Sequence, residues 1–134
     1  EKIFGRKITG HAYPMGQFNQ DVKNVLKDNG ILYARTVKST HAFSLPKDWY
    51  EWNPTCHHGE AGTMDDIERF LRDDGALLFF LWGHAFEFDR DDNWELMEKI
   101  AGRLGGRDDI WYCTNGELYS WLARSRAASG ISAT

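Results

Sequence analysis

The chain has 134 residues, of which 42% are hydrophobic and 27% are charged, as is typical of one soluble globular domain. Its 16 basic and 20 acidic residues give a net charge of −4, which excludes a basic surface for nucleic acid. The longest strongly apolar run, 76–82, is far shorter than the roughly 20 residues that span a membrane. A compact monomer of 15.5 kDa should expose roughly 7,200 Å² of surface.

Strands and helices are predicted to alternate along the first half of the chain. Residues 7–13 form the first expected strand, and apolar residues at helical spacing follow over 18–30. A β-rich run over 31–37 predicts the second strand. An irregular, aromatic segment then covers 38–62.

The second half continues the alternation. We expect a helix capped by Thr63 and then an apolar strand over 76–82 that is covered on both faces. Asp92 and Glu95 introduce the next expected helix, which ends at the glycines at 105 and 106. A strand over 109–113 and a helix from near Asn115, ending before the tail 127–134, complete the prediction.

This order predicts one α/β domain over 1–134, with a parallel sheet of about four strands and right-handed crossovers. Such sheets place functional residues just beyond the carboxyl ends of their strands. The segments expected to share that rim are 13–16, 38 onward, 83–84 and 114–115. The sequence therefore predicts one site built from segments that are far apart in the chain.

Aromatic residues and cysteines complete the inventory. Aromatics make up 14% of the chain, which suits a core and also a site that stacks on sugar rings. Trp82 and Trp111 are expected in the core. Cys56 and Cys113 could pair but do not define a disulfide framework, so the compartment stays open. No signal peptide is visible, and the start at Glu1 suggests a mature or trimmed product.

Five segments carry a resemblance to a known family: 12–16 (Ala-Tyr-Pro-Met-Gly), 33–37 (Tyr-Ala-Arg-Thr-Val), 48–58 (Asp-Trp-Tyr-Glu-Trp-Asn-Pro-Thr-Cys-His-His), 81–84 (Leu-Trp-Gly-His) and 109–117. In this order they resemble polysaccharide deacetylases, and more narrowly the C-terminal half of the NodB-homology domain of carbohydrate esterase family 4. The resemblance runs from about Thr9 to Trp121. It implies part of a distorted (β/α) barrel that hydrolyses acetyl groups from N-acetylated polysaccharides or glycans, with a divalent metal of the zinc, cobalt or nickel class.

The resemblance also implies roles for individual residues. His84 would be the general acid that protonates the departing sugar amine. The alternative is a histidine hydrogen-bonded to a neighbouring carboxylate such as Glu87 or Asp89. Asp48 would orient the catalytic groups and Trp49 would form one wall of the groove, although Trp49 could equally pack under a long loop.

Further residues are expected to contact the substrate. Tyr13 would offer a backbone or hydroxyl group to the oxyanion, or simply close a turn. Arg35 would face the site, or form a structural ion pair with a carboxylate. His57 and His58 would line the site in a hydrogen-bonded loop.

The metal is the point at which the sequence departs from the family. The family's N-terminal motifs, an Asp-Asp pair and a His-x-x-x-His, are absent: no Asp-Asp-Gly strand end lies near the start of the chain, and no two histidines are four residues apart. Cys56 and His58 could share a metal with another donor, whereas His57 and His58 should point to opposite sides of an extended segment.

We therefore expect the chain alone to be a weak or inactive catalyst. Its partners would be the acetylated glycan and either the missing N-terminal half or a second copy of the chain. The alternative is a non-catalytic carbohydrate-binding or assembly module that kept the aromatic groove.

Overall fold

The computed structural model describes residues 3–128, which form a mixed α/β fold with two small parallel sheets. Strand β1 (Gly10–Ala12) pairs with β2 (Tyr33–Arg35), and β3 (Cys56–His57) pairs with β4 (Leu81–Trp82). Short 3₁₀ turns cover Pro14–Gly16 and Trp49–Glu51. The helices within this range are α1 (Gln20–Asp28), α2 (Thr63–Phe70), α3 (Ala85–Arg90), α4 (Trp94–Leu104) and α5 (Asn115–Ala128).

Parallel pairing and the mixture of strands and helices are confirmed, but a single sheet of about four strands is not shown. An isolated parallel bridge between Arg35 and Trp52 lies between the two sheets. Around it, Trp52 N–H donates to the Ala34 carbonyl and Thr36 N–H donates to the Trp52 carbonyl, each at 3.0 Å. Pro54 has no N–H to donate, so the ladder does not continue unbroken from Trp52 into β3.

The prediction of a long strand over 76–82 is wrong except for its last two residues. Two successive N–H groups, at 77 and 78, donate to the Phe43 carbonyl at 2.9 Å. Phe80 N–H donates to the Thr55 hydroxyl at 3.0 Å. Thr55 N–H also donates to the Phe80 carbonyl at 2.8 Å, but the other bonds of this segment go to a loop carbonyl and a side chain, so no continuous strand ladder forms before Leu81. Residues 109–113, also predicted as a strand, form none.

The two segments that failed to form strands border an open apolar region. A cavity of about 450 Å³ lies between 76–81 and 109–115. Leu77 is 67% exposed and Trp111, expected in the core, is 55% exposed. The chain exposes 9269 Å² of surface, well above the roughly 7,200 Å² of a compact monomer of this mass. The apolar strand expected to be covered on both faces is therefore half-exposed.

The helix predictions are largely confirmed. Asn19 caps α1 by accepting from Val22 N–H at 2.9 Å, and Gly105 follows the last residue of α4 as predicted. Thr63 is the first residue of α2 rather than its cap, because its hydroxyl instead donates to the His57 carbonyl at 2.8 Å. Helix α3 was not predicted, and residues 129–134 of the predicted tail lie outside the described range. In residues 3–128 no helix has the length and apolar content needed to cross a membrane.

The central packing unit is built around Trp52, which is 1% exposed. Leu118 and Leu122 of α5 pack on it. The Trp52 ring also lies 5.1 Å from that of Trp49 and 5.0 Å from that of Phe80. The residue whose backbone bridges the two sheets thus also anchors the C-terminal helix.

A histidine fixes the loop over 38–47 to helix α2. His41 has a φ of +52°, a region that few residues other than glycine adopt. Its Nδ1 lies 2.7 Å from Asp66 Oδ2, and its Nε2 lies 3.6 Å from Glu60 Oε2. Asp66 is buried and also accepts from Arg69 Nη1 at 2.8 Å. The hydrogen bond that His41 donates to Asp66 raises the pKa of His41.

We predict that His41 stabilises the fold more at low pH than at high pH. A raised folded-state pKa gives stability that is fully present below the unfolded value of about 6.5 and is lost as the pH rises through the folded value. Replacing His41 by Asn keeps a residue that tolerates positive φ. The difference in free energy of unfolding between wild type and His41→Asn, measured by denaturant titration from pH 5 to 9, should shrink as the pH rises. A difference that stays constant would contradict the assignment.

Candidate functional site

Three histidines and one glutamate meet where β3 and β4 end. His57 is the last residue of β3, and His58 follows it. His84 is the N-cap residue of α3, and Glu87 lies three residues later. Glu87 Oε2 accepts from the His84 backbone N–H at 3.0 Å, and it lies 3.0 Å from His57 Nε2, 3.5 Å from His58 Nε2 and 3.4 Å from His84 Nδ1. We refer to these four residues as the Glu87 cluster.

The expectation that His57 and His58 point to opposite sides is wrong. Their ring centroids are 4.4 Å apart, and both rings lie beside Glu87. The reason is local: β3 ends at His57, and a turn begins in which Glu60 N–H donates to the His57 carbonyl at 3.1 Å. Side chains alternate only while the backbone stays extended.

Charge and burial differ across the Glu87 cluster. The side chain of His58 is 7% exposed. Burial lowers the pKa of His58, and the neighbouring His57 lowers it further. Burial alone would raise the pKa of Glu87, but the His84 N–H and the nearby His57 outweigh it and lower this pKa. Glu87 is therefore an ionised acceptor at neutral pH, surrounded by hydrogen-bond donors.

Trp82 connects the Glu87 cluster to Arg35. The Arg35 guanidinium lies 4.6 Å from the centroid of the Trp82 ring, while the rings of His57 and His84 lie 4.5 Å and 5.8 Å from it. Arg35 donates to the Thr36 carbonyl at 3.0 Å, and among the described carboxylates none forms an ion pair with it. Burial lowers the pKa of Arg35. The structure thus brings Arg35, His57, His58 and His84 together around Trp82. Of the segments predicted to share one rim, residues 13 and 114–115 have their contacts elsewhere.

Asp48 and Trp49 lie elsewhere in the fold. They precede the segment that leads into β3, whereas the Glu87 cluster follows the ends of β3 and β4. Asp48 accepts from Lys23 Nζ at 2.7 Å and from Tyr50 N–H at 2.8 Å. Burial would raise the pKa of Asp48, but these two donors lower it. The Trp49 ring packs on Tyr119 at 5.0 Å, as in the packing alternative.

Tyr13 is also committed to packing. It is 2% exposed, and its ring stacks on Phe18 at 4.5 Å. Its hydroxyl donates to the Tyr50 carbonyl at 2.9 Å, and its backbone N–H donates to the Arg35 carbonyl at 3.1 Å. Both donors of Tyr13 therefore already have partners.

The donors of the Glu87 cluster do not fit a metal ion as they stand. Ligand atoms of His57, His58 and Glu87 lie within 4.8 Å of one another, as a metal site requires. However, Gly59 N–H donates to His57 Nδ1 at 3.1 Å, so that nitrogen carries no proton. The proton of neutral His57 must then sit on Nε2, the atom that faces Glu87, where a metal would need a lone pair.

Cys56 does not complete a metal site with His58. Both Cys56 and Cys113 are free thiols, and Cys56 is buried. Burial raises the pKa of the Cys56 thiol to about 11, so the free thiol is protonated at neutral pH. Cys56 is not part of the potential ligand group found among the described residues.

Comparison with known proteins finds no family model, curated protein or solved structure that matches the chain. The pairing of His84 with Glu87 was named as the alternative role of His84, whereas the contacts of Glu87 with His57 and His58 were not predicted. The signal that indicates the pairing is the spacing of His84 and Glu87, which matches a capping box in which the third residue of a helix turns back to its cap.

We predict that the site depends on the absence of a side chain at position 83. Gly83 has a φ of +157°, and a Cβ built there would lie 1.7 Å from His58 Nδ1. His58 cannot easily yield, because it is buried and its ring stacks on Phe88 at 4.2 Å. Gly83→Ala should lower the free energy of unfolding by about 1–3 kcal/mol, measured by denaturant titration.

Gly102→Ala provides the matched control. Gly102 lies inside α4, and a Cβ there would meet nothing within 4 Å. This substitution should stabilise the protein by roughly 0.5–1 kcal/mol, because alanine favours a helix interior. If both substitutions had the same effect, the close approach of Gly83 to His58 would not be the constraint we describe.

Proposed function

We propose that this chain contributes the proton-donating part of a hydrolase that removes acetyl groups from N-acetylated polysaccharides or glycans. The observation that carries the proposal is the position of His84. Its side chain is 50% exposed beyond the end of β4, beside Trp82 and the ionised Glu87. An exposed imidazole held by a carboxylate is suited to give a proton and take it back near neutral pH.

The chemistry defines what His84 would do. When water attacks the acetyl carbonyl, the C–N bond breaks and its electron pair goes to the sugar nitrogen. That nitrogen is a poor leaving group unless it is protonated, so His84 would donate a proton to it from Nε2. Trp82 would offer an apolar surface beside this position, and the Arg35 guanidinium over its ring would add positive charge.

The resemblance to carbohydrate esterase family 4 supports the same reaction and adds a requirement. A divalent metal of the zinc, cobalt or nickel class would be held by residues outside those described, since the Glu87 cluster does not fit one. The metal-binding half would then be a further segment or a second copy of the chain. The exposed Leu77 and Trp111 beside the apolar cavity support such a partner.

A barrel wall is the arrangement we propose for the two sheets. The Arg35–Trp52 bridge and its two backbone hydrogen bonds place β2 beside the segment that leads into β3. This supports the order β1, β2, β3, β4 along one curved parallel wall. In the sheets that the described residues form, β1 and β4 each have one strand neighbour, so their other edges could receive further strands.

The position of Asp48 favours a second candidate, a carbohydrate-binding or assembly module without catalysis. Asp48 is held by Lys23 rather than by a histidine. A module of this kind would keep Trp82 and the exposed aromatic rings near the site, such as Phe86 and Trp94, for stacking on sugars. The two candidates differ in what His84 contributes.

We predict that the chain distinguishes acetylated from deacetylated sugars through the site at His84. In an NMR titration, N-acetylglucosamine oligomers should shift the signals of Trp82, His84 and His57 more strongly than the deacetylated oligomers do. Without a fitting metal set, acetate release should stay near background when zinc, cobalt or nickel is added. An equal response to both sugars, or shifts confined to other regions, would contradict the proposal.

Substitution of His84 separates the two candidates. In a longer chain or a complex that releases acetate, His84→Ala should slow release by roughly 10²–10⁴-fold, as expected for loss of a general acid. Lys99→Ala serves as a control, because the Lys99 side chain is 66% exposed on α4. Unchanged glycan binding after His84→Ala, with no acetate release from any form, would indicate the non-catalytic module.

A further inference from the structure

Glu87 makes more contacts than a helix cap requires. As a cap, it only needs to accept from the His84 backbone N–H. The same oxygen is also within 3.0 to 3.5 Å of three imidazole nitrogens. Glu117 shows what a cap does alone: at the start of α5 it accepts from Thr114 N–H at 2.7 Å and from the Thr114 hydroxyl at 2.8 Å, and it forms no ion pair with any histidine described in the structure.

The proton positions around Glu87 follow from its partners. Gly59 N–H occupies the lone pair of His57 Nδ1, so the proton of neutral His57 sits on Nε2, 3.0 Å from Glu87 Oε2. An ionised carboxylate offers only acceptors. His84 Nδ1, 3.4 Å from the same oxygen, therefore gains a favourable interaction only when it carries a proton.

We infer that Glu87 is a positioning residue that holds His84 in the Nδ1–H form, so that Nε2 is the atom that transfers the proton. The inference rests on the proposed function of His84 as the general acid, and it assigns to Glu87 the orienting role that the resemblance had given to Asp48. Among the residues described, His84 Nε2 has no hydrogen-bond partner, and the ring is half-exposed. His57 supports the arrangement because its Nε2 lies 3.0 Å from the same carboxylate oxygen.

The test is the tautomer of His84, observed by long-range ¹H–¹⁵N correlation NMR on the ¹⁵N-labelled full chain at pH 8.5. Wild type should show His84 mainly as the Nδ1–H tautomer and His57 mainly as the Nε2–H tautomer. Glu87→Gln should reduce the Nδ1–H fraction of His84 at least twofold. His57 should keep its Nε2–H form, because Gly59 N–H still occupies its Nδ1.

Glu117→Gln is the matched control, because it weakens an equivalent helix cap at the same i, i+3 spacing without touching a histidine. It should leave the His84 tautomer ratio unchanged. A wild-type His84 found mainly as Nε2–H would overturn the inference, even if Glu87→Gln failed to fold. A ratio that does not respond to Glu87→Gln would also overturn it.

This measurement needs no substrate and no turnover. If His84 adopts the expected tautomer while the glycan titration fails, the proposed function fails and the hydrogen-bond geometry is nevertheless established. If the glycan titration succeeds while the tautomer is wrong, the proposed function stands and Glu87 is only a helix cap. In a form of the protein that releases acetate, Glu87→Asp should restore part of the rate that Glu87→Gln removes, since it restores a carboxylate.

Discussion

The link made by Trp52 is the constraint on which the rest of the molecule depends. Its backbone exchanges two hydrogen bonds with β2, and its indole is buried against α5. Pro54 interrupts the ladder immediately afterwards, so this bridge connects β2 to the strand pair that carries the histidines. Arg35 at the end of β2 can therefore lie over Trp82 at the end of β4. The site spans both sheets because this contact holds them side by side.

Within that frame, one carboxylate organises the candidate site. Glu87 faces three imidazoles, and the tautomer of at least one of them is set by a backbone N–H rather than by the carboxylate itself. Three of these side chains, His57, His58 and Glu87, lie close enough together for a metal site. Hydrogen positions decide against this, because the nitrogen of His57 that faces Glu87 carries a proton. Proton transfer is the chemistry that such an arrangement favours.

The segments that resemble deacetylases divide into two groups in the structure. Residues 81–84 belong to the site, and His84 follows a strand end, half-exposed and beside a carboxylate. Trp49 packs in the core, and Asp48 forms an ion pair with Lys23. Lys23 is buried and also contacts Glu51. The proposal of deacetylation therefore rests on His84 and its neighbours. Asp48 adds little support to this proposal, because its carboxylate already accepts hydrogen bonds from Lys23 and from Tyr50 N–H.

The sequence by itself determined the helices α1, α2, α4 and α5, the parallel pairing, and the position of His84 just beyond a strand end. These follow from local periodicity, capping residues and the direction of parallel strands. Only the tertiary structure decided that 76–80 forms no strand, that His57 and His58 share one side, and that Glu87 faces these two imidazoles as well as its local neighbour His84. A strand needs a partner in space, and a carboxylate pairs with the nearest donor in three dimensions. Neither can be read from the spacing of residues along the chain.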